Sequence, residues 1–371
     1  MTSNIVAYEW PLNGTAHVVY ETGDNHIHEM VIGREEIWRD ADITQVAGGP
    51  EIEAAILTGY PWSAGRTQQI AAVSPMSPNR HIHELVMLAD HPWSYADLMR
   101  QLPEAPPADG LALVGYASKT EGTKHVVYTR LDGHLHELST RVVGRWHAAD
   151  LTQLTGAPLI EGAALAAYAW EANKSRQVVY ISGDGHIHEL AVSLAGIWSH
   201  TDLTDLTGAP LADGVTLVAF AWETAGTKQV IYTGNHGTIY ELIAGVDTAW
   251  QYTDVMSLTS APLVDGSALA AFAWETGGTK QVVYVGADHH VHEVMMEKRG
   301  RWVYTDLTER IGAPDASNEV IVGHEWSDQF AKHVVYLDTL ENPHIHSLLL
   351  KHGSDWQYTD LTDLTGAQSL V

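Results

Sequence analysis

The tetrapeptide His186-Ile187-His188-Glu189 recurs along the chain and decides its fold. Residues 26–29, 81–84, 134–137 and 290–293 repeat the pattern His-x-His-Glu, and residues 238–241 and 344–347 keep part of it. The third position of the motif falls at 28, 83, 136, 188, 240, 292 and 346, in steps of 52 to 55 residues. Because repetition at a fixed period of this length is typical of repeat architectures, we divide the chain into seven units within one domain. The predicted unit bounds are approximately 4–50, 51–105, 106–158, 159–210, 211–262, 263–314 and 315–371.

Four further columns of residues keep the register of the motif. Two tryptophan columns account for all 13 tryptophans of the chain, which otherwise contains few large aromatic residues besides tyrosine. We predict that the first tryptophan column, the tyrosine column and the aspartate column are structural. The columns are Trp10, Trp62, Trp170, Trp222, Trp274 and Trp326; Trp38, Trp93, Trp146, Trp198, Trp250, Trp302 and Trp356; Tyr20, Tyr128, Tyr180, Tyr232, Tyr284 and Tyr336; and Asp42, Asp97, Asp150, Asp202, Asp254, Asp306 and Asp360.

Each unit contains four short runs of β-branched, aromatic and small apolar residues. In the sixth unit these runs cover 268–274, 281–285, 290–294 and 302–306, and turn residues separate them. Asp132-Gly133 and Asp184-Gly185, between the second and third runs, predict tight type I′ hairpins. No helical period is long enough to predict a helix. The prediction is an all-β, seven-bladed β-propeller with four antiparallel strands per blade, whose ring closes without an exchanged strand.

The composition limits the classes of partner. The net charge of −26 argues against binding nucleic acid or anionic membranes, because phosphates would be repelled. No apolar run reaches the roughly 18 residues of a membrane span, so membrane insertion is not expected. No signal peptide is visible at the N-terminus, which predicts a cytoplasmic protein or one released by a route not readable from the sequence. Cysteine is absent, and the sequence does not indicate an oligomeric state.

Alternation along the third strand places the glutamate on one face and the two histidines on the other. Repeated units then predict similar clefts between neighbouring blades, which is the pattern of a multivalent binder of saccharides or glycoconjugates. An indole ring can stack on a sugar ring while carboxylate and amide groups bond its hydroxyls. For the glutamates, ligand contact and a structural hydrogen bond both remain open. The candidate carbohydrate-binding residues are Glu29, Glu84, Glu137, Glu189, Glu241, Glu293, Gln177, Gln229, Gln281, His28, His83, His136, His188, His292, Trp93, Trp146, Trp198, Trp250, Trp302 and Trp356.

Two alternative functions remain open. Histidines at positions i and i+2 of a strand lie about 6 to 7 Å apart, a spacing that can chelate a divalent metal such as Zn or Cu. The first alternative is therefore a metal-binding or enzymatic propeller that uses the His-x-His pairs, although no cofactor is required by the main hypothesis. The second alternative is a scaffold for protein interactions. The near-equality of the units favours a binding protein over an enzyme, because an enzyme normally needs one distinct site.

The repeats resemble the fungal fucose-specific lectins, which are six-bladed propellers. The resemblance covers every unit and rests on first strands such as 269–274, the Val283-Tyr284 pair, an Ile-x-Glu triplet and the tryptophan that begins the fourth strand. It implies that an Arg before the Val-Tyr pair and the glutamate twelve residues later hold sugar hydroxyls, while an outer-strand tryptophan of the adjacent blade stacks on the ring. Here the Arg position is Gln or His in all seven units: His17, Gln69, His125, Gln177, Gln229, Gln281 and His333. The resemblance therefore implies a lectin of altered specificity, or a propeller that has lost sugar binding.

Overall fold

A computed structural model describes residues 5–74, 77–298 and 300–367. These residues form seven four-stranded antiparallel sheets, and each sheet is built from four consecutive strands. The predicted seven-bladed propeller is confirmed, and no strand is exchanged where the ring closes. The predicted end points at residues 4 and 371 lie outside the described residues.

The strands follow the predicted order in every blade. Blade 1 contains β1 (Ile5–Trp10), β2 (Thr15–Glu21), β3 (Ile27–Ile32) and β4 (Arg39–Asp42); blade 2 contains β5 (Ile56–Trp62), β6 (Thr67–Val73), β7 (Ile82–Leu88) and β8 (Trp93–Asp97); blade 3 contains β9 (Leu113–Ser118), β10 (Thr123–Thr129), β11 (Leu135–Arg141) and β12 (His147–Asp150). Blade 4 contains β13 (Ile160–Trp170), β14 (Ser175–Ser182), β15 (Ile187–Ser193) and β16 (Trp198–Asp202); blade 5 contains β17 (Ala212–Trp222), β18 (Thr227–Gly234), β19 (Thr238–Gly245) and β20 (Gln251–Asp254). Blade 6 contains β21 (Val264–Trp274), β22 (Thr279–Gly286), β23 (Val291–Glu297) and β24 (Trp302–Asp306); blade 7 contains β25 (Ala316–Trp326), β26 (Ala331–Asp338), β27 (Ile345–Lys351) and β28 (Gln357–Asp360).

A short helix follows the fourth strand of every blade, which the sequence did not predict. The helices have four or five residues, too few for a helical period to be recognised. The aspartate that ends each fourth strand caps its helix; the Asp202 side chain, for example, accepts a hydrogen bond from the backbone N–H of Asp205. This confirms the structural role predicted for the aspartate column. The helices are α1 (Ile43–Ala47), α2 (Leu98–Gln101), α3 (Leu151–Thr155), α4 (Leu203–Thr207), α5 (Val255–Thr259), α6 (Leu307–Ile311) and α7 (Leu361–Thr365).

The hairpin between the second and third strands differs from the predicted type I′ turn. A type I′ turn needs positive φ at both central residues, whereas only the glycine of each Asp-Gly pair has it, at 81° for Gly133 and 82° for Gly185. The backbone N–H of Gly133 bonds to the Arg130 carbonyl, and that of Arg130 bonds to the His134 carbonyl. The loop is therefore one residue longer than predicted, with glycine in the left-handed conformation next to the strand.

The core lies between the blades. The tyrosine column is completely buried, and most of these hydroxyls donate to a proline carbonyl shortly before the first strand of their blade, as Tyr180 does to Pro158 at 2.5 Å. The first strands surround a central cavity of about 390 Å³ lined mainly by Ala, Val, Leu and Ile. None of the described helices is long and apolar enough to cross a membrane.

Blades 1 and 7 pack face to face to close the ring, and we call their interface the seam. The indole N–H of Trp326 donates to the Gly14 carbonyl at 3.1 Å, and the Ser327 hydroxyl donates to Glu9 at 2.7 Å. At the surface, Arg34 donates two hydrogen bonds to Asp328. The seam is therefore closed by side chains, in agreement with the prediction that no strand crosses it.

Candidate functional site at the blade junctions

Each candidate glutamate points from the third strand into the junction with the following blade. There, five of the six meet a cation that the sequence analysis did not select. Lys228 of blade 5 lies 2.5 Å from Glu189 of blade 4, and Arg176 of blade 4 lies 2.9 Å from Glu137 of blade 3. The complete set of pairs is Glu84–Lys124, Glu137–Arg176, Glu189–Lys228, Glu241–Lys280 and Glu293–Lys332, which occupy junctions 2/3 to 6/7.

Indole rings hold each of these cations. The ammonium group of Lys228 lies 5.3 Å from the ring centroid of Trp170 and 4.7 Å from that of Trp250, so it sits between a first-strand and an outer-strand tryptophan. Lys124 and Lys332 are held by two indoles in the same way. Arg176 lies over one indole, because Ser118 replaces the first-strand tryptophan in blade 3. Cation–π attraction of this kind strengthens when water is excluded.

Burial makes these charge pairs strongly interdependent. Lys280 is 1% exposed and Glu241 is 2% exposed. Burial raises the pKa of Glu241 and lowers the pKa of Lys280, because each charged form loses its hydration. Burial alone would also raise the pKa of Glu137, but hydrogen bonding and charge from His125, together with the charge of Arg176, hold that pKa below its usual value. Each charge is therefore tolerated in the junction because its partner is present.

Two junctions depart from this pattern. At junction 1/2, Gln68 stands where the cation would be, and Glu29 is bonded instead to His17 of its own blade at 2.7 Å and to the indole N–H of Trp93 at 3.3 Å. At the seam, Ala16 replaces the cation and Ser347 replaces the glutamate. Both charges are therefore absent together from the seam.

The Gln and His residues at the expected Arg position are buried and bond within their own blades. The Gln177 amide donates to Ser175 at 2.7 Å, and the Gln229 amide donates to Thr227 at 2.6 Å. The amide oxygens of Gln177, Gln229 and Gln281 have no hydrogen-bond partner among the residues that the structure describes. The structure thus buries these candidates on the second strand, on the face opposite to the cation that directly precedes each of them in blades 3 to 7.

The second histidine of each motif also bonds within its own blade. His83 contacts the Tyr95 hydroxyl at 2.9 Å, His292 contacts the Tyr304 hydroxyl at 3.1 Å, and His28 contacts Asp40 at 3.1 Å. The first histidine bonds instead to the helix-capping aspartate, as His290 does to Asp306 at 2.7 Å. His28, His83, His136, His188 and His292 are therefore not hydrogen-bonded to the junction carboxylates in the described part of the chain.

The outer-strand tryptophans differ in exposure. Trp146, Trp198 and Trp250 are half-buried, so part of each indole reaches solvent beside its ion pair. Trp93, Trp302 and Trp356 are buried, with 7–9% of their surface exposed. Glu189 and Trp250 both contact Lys228 at junction 4/5.

The cation column was missed although the sequence carries its signal. The residue directly before each Gln or His of the second strand is Lys or Arg in blades 3 to 7: Lys124, Arg176, Lys228, Lys280 and Lys332. Strand alternation directs adjacent residues to opposite faces, so this side chain points to the preceding blade. The cation at these five junctions thus comes from the following blade, and not from the position where the resemblance implies an Arg.

Comparison with known proteins supports the fold. No family model matches the sequence, and no curated protein matches it. Among solved structures, the BP39L lectin from Burkholderia pseudomallei is 15% identical with a TM-score of 0.73, over 100% of this chain and 99% of that one. The six-bladed lectin of Aleuria aurantia is 16% identical with a TM-score of 0.55, over 82% of this chain and 95% of that one. The AofleA protein from Arthrobotrys oligospora is 11% identical with a TM-score of 0.51, over 82% and 86%. The resemblance to propeller lectins is confirmed at the level of the fold.

Proposed function

We propose that this protein is a multivalent carbohydrate-binding protein whose sites lie at the junctions between blades. One observation carries the proposal: junctions 2/3 to 6/7 each combine a carboxylate, a cation and an outer-strand indole. These are the groups that recognise a sugar, since the indole stacks on C–H groups while the charged groups bond hydroxyls. Solved proteins of similar fold include lectins, among them a variant of the Aleuria aurantia lectin in complex with alpha-methyl-L-fucoside and the SapL1 lectin in complex with alpha methyl fucoside.

The three junctions with a half-buried outer tryptophan are the strongest sites. At junctions 2/3, 3/4 and 4/5, Trp146, Trp198 and Trp250 reach solvent. A sugar ring stacked on the exposed part of such an indole lies next to the ion pair, where its hydroxyls reach the rim of the junction. We rank junctions 5/6 and 6/7 below these three, because Trp302 and Trp356 are buried.

Affinity at one site is expected to be weak, because the ion pair is already satisfied and a shallow site gains little free energy. Several sites on one ring can engage one glycosylated surface and raise the apparent affinity through effective concentration. The net charge of −26 favours neutral sugars over acidic ones.

The proposal is tested by glycan-array screening followed by calorimetric titration with the best monosaccharide. We expect several equivalent weak sites in the wild-type protein. Trp250→Ala should remove one binding equivalent, because it removes the stacking surface of junction 4/5. The matched control is Tyr252→Ala, which removes a 44% exposed aromatic ring from β20, two residues after Trp250 in the same blade, and should leave the stoichiometry unchanged.

Two outcomes would contradict the proposal. One is a wild-type protein that binds no glycan, which would favour the interaction scaffold. The other is an unchanged stoichiometry in a folded Trp250→Ala variant, which would move the sites away from the junctions.

A further inference from the structure

Blade 4 carries three histidines and an aspartate on one face of two adjacent strands. His186 adjoins β15 and His188 lies on it, while His200 and Asp202 lie on β16. His188 is the direct cross-strand partner of Asp202, and Leu190 is that of His200. Since side chains two residues apart share a face, the four side chains form a compact patch.

The nitrogen and oxygen atoms of this patch lie close together. Nδ1 of His188 is 3.0 Å from Nε2 of His200 and 3.9 Å from a carboxylate oxygen of Asp202. Nδ1 of His186 is 2.8 Å from the same oxygen of Asp202 and 3.8 Å from Asp205. Two imidazole nitrogens at 3.0 Å can form a hydrogen bond only if one carries a proton and the other a lone pair, so at least one of the two rings must be neutral.

The surroundings of His188 fix which nitrogen carries its proton. The Ser182 hydroxyl donates to the Asp184 carboxylate at 2.5 Å, the closer and charge-assisted of its two acceptors. The hydroxyl oxygen then accepts from Nε2–H of His188 at 2.8 Å. Nδ1 of His188 is left with a lone pair directed at His200. Metal-binding histidines are commonly oriented by such a bond at the other ring nitrogen.

Blade 4 alone carries a histidine, His200, two residues after its outer-strand tryptophan. The equivalent residues are Asp40, Tyr95, Ala148, Tyr252, Tyr304 and Tyr358. Tyr95, Tyr304 and Tyr358 place a phenol hydroxyl 2.9 to 3.1 Å from the equivalent histidine nitrogen. A phenol at this place supplies a hydrogen bond, whereas an imidazole supplies a second nitrogen ligand.

We propose that blade 4 binds a divalent late first-row transition metal, such as Zn²⁺ or Ni²⁺, through Nδ1 of His188 and Nε2 of His200. Asp202 supplies a carboxylate oxygen, and solvent completes the coordination. To bind, neutral His200 carries its proton on Nδ1 and offers Nε2, so the ion replaces the hydrogen bond between the two rings. Imidazole and carboxylate ligands suit these metals, and the acidic protein favours cations. His188 is 2% exposed, but His200 and Asp202 are half-buried and leave the patch open to solvent.

The test is calorimetric titration with Ni²⁺ or Zn²⁺ of the wild type and of His200→Tyr. The variant introduces the residue that three other blades carry at this position, so the fold should be retained, which circular dichroism checks. We expect saturable binding by the wild type and a loss of at least about tenfold in affinity, or of one binding equivalent, in the variant. The reciprocal change Tyr304→His in blade 6 should add one equivalent.

Two results would overturn the proposal. One is the absence of saturable binding of either metal by the wild type. The other is a folded His200→Tyr variant whose affinity and stoichiometry equal those of the wild type, which would place the ion elsewhere, for example at the cluster of His186, Asp202 and Asp205 in the same blade or at that of Asp288, His290 and Asp306 in blade 6. The outcome does not depend on carbohydrate binding.

Discussion

The seam and the five charged junctions join blades of the same fold, but the charged junctions bury an ion pair where the seam has two uncharged residues. At junction 5/6, Lys280 and Glu241 are buried as an ion pair under the Trp302 indole. At the seam, Ala16 and Ser347 occupy the two equivalent positions, and neither is charged. A buried charge without a partner is costly, so loss of one charge requires loss of the other or a new partner for it. The seam lacks both charges, whereas junction 1/2 lacks only the cation and Glu29 is bonded to His17 of its own blade instead.

The seam contains a chain of neutral hydrogen bonds in place of the ion pair. The Ser347 hydroxyl lies 2.7 Å from Nε2 of His333, and Nδ1 of His333 lies 3.1 Å from Nε2 of His324. Nδ1 of His324 donates to the Glu325 carbonyl at 2.8 Å. With one proton on each ring, every donor in this chain meets an acceptor. Protonation of His324 at Nε2 would leave two N–H groups facing each other, and protonation of His333 at Nε2 would turn an N–H toward the Ser347 hydroxyl that donates to it in the neutral chain.

The largest expected effect comes from breaking one ion pair. Lys280→Met should lower the free energy of unfolding by about 3 to 5 kcal/mol, because Glu241 would remain buried without a partner. Chemical denaturation measures the loss. The double variant Lys280→Met with Glu241→Leu removes both charges, as the seam does, and should recover most of the stability. Equal losses in the single and double variants would contradict the idea that the pair acts as a unit.

The second prediction concerns the pH dependence of the seam. Burial lowers the pKa of His324 from 6.5 to about 4 and lowers the pKa of His333 well below 6.5. Because the folded protein favours the neutral rings, their stabilisation is complete above pH 6.5 and is lost as the pH falls toward 4. For His324 the loss is about 3 kcal/mol. Thermal unfolding measured across this range should therefore show stability falling with acidification.

A matched variant separates the seam from the other histidines. Blades 5 and 6 carry Phe220 and Phe272 at the position of His324, so His324→Phe should be accommodated in the ring. It should flatten the pH dependence between pH 6.5 and 4. Histidines bonded to capping aspartates have the opposite effect on stability. Those bonds raise the pKa of His26 and His290, so these residues stabilise the folded protein as the pH falls. An unchanged slope in His324→Phe would assign the dependence to other groups.

The sequence was sufficient to predict the features that recur in every blade and depend only on residues of that blade. The period, the two tryptophan columns and the aspartate column predicted seven blades, a buried aromatic core and a structural aspartate, because these follow from local alternation and turn residues. The ion pairs across a junction were not predicted. Lys228 and Glu189 are 39 residues apart and meet because consecutive blades pack in a ring. The helices were missed because five residues carry no period.

The smallest effect is expected at the surface of the seam, where an exposed ion pair contrasts with the buried ones. Arg34 is bonded to Asp328, and this contact lowers the pKa of the Asp328 carboxyl through hydrogen bonding and charge. Arg34→Ala should change the unfolding midpoint far less than Lys280→Met does, because solvent already screens the exposed pair. The difference from wild type should vanish near 1 M salt, where the Debye length is only about 3 Å. The loss caused by Lys280→Met should persist in the same salt. A salt-resistant loss in Arg34→Ala would mean that ring closure depends on this contact rather than on the hydrogen bonds of Trp326 and Ser327.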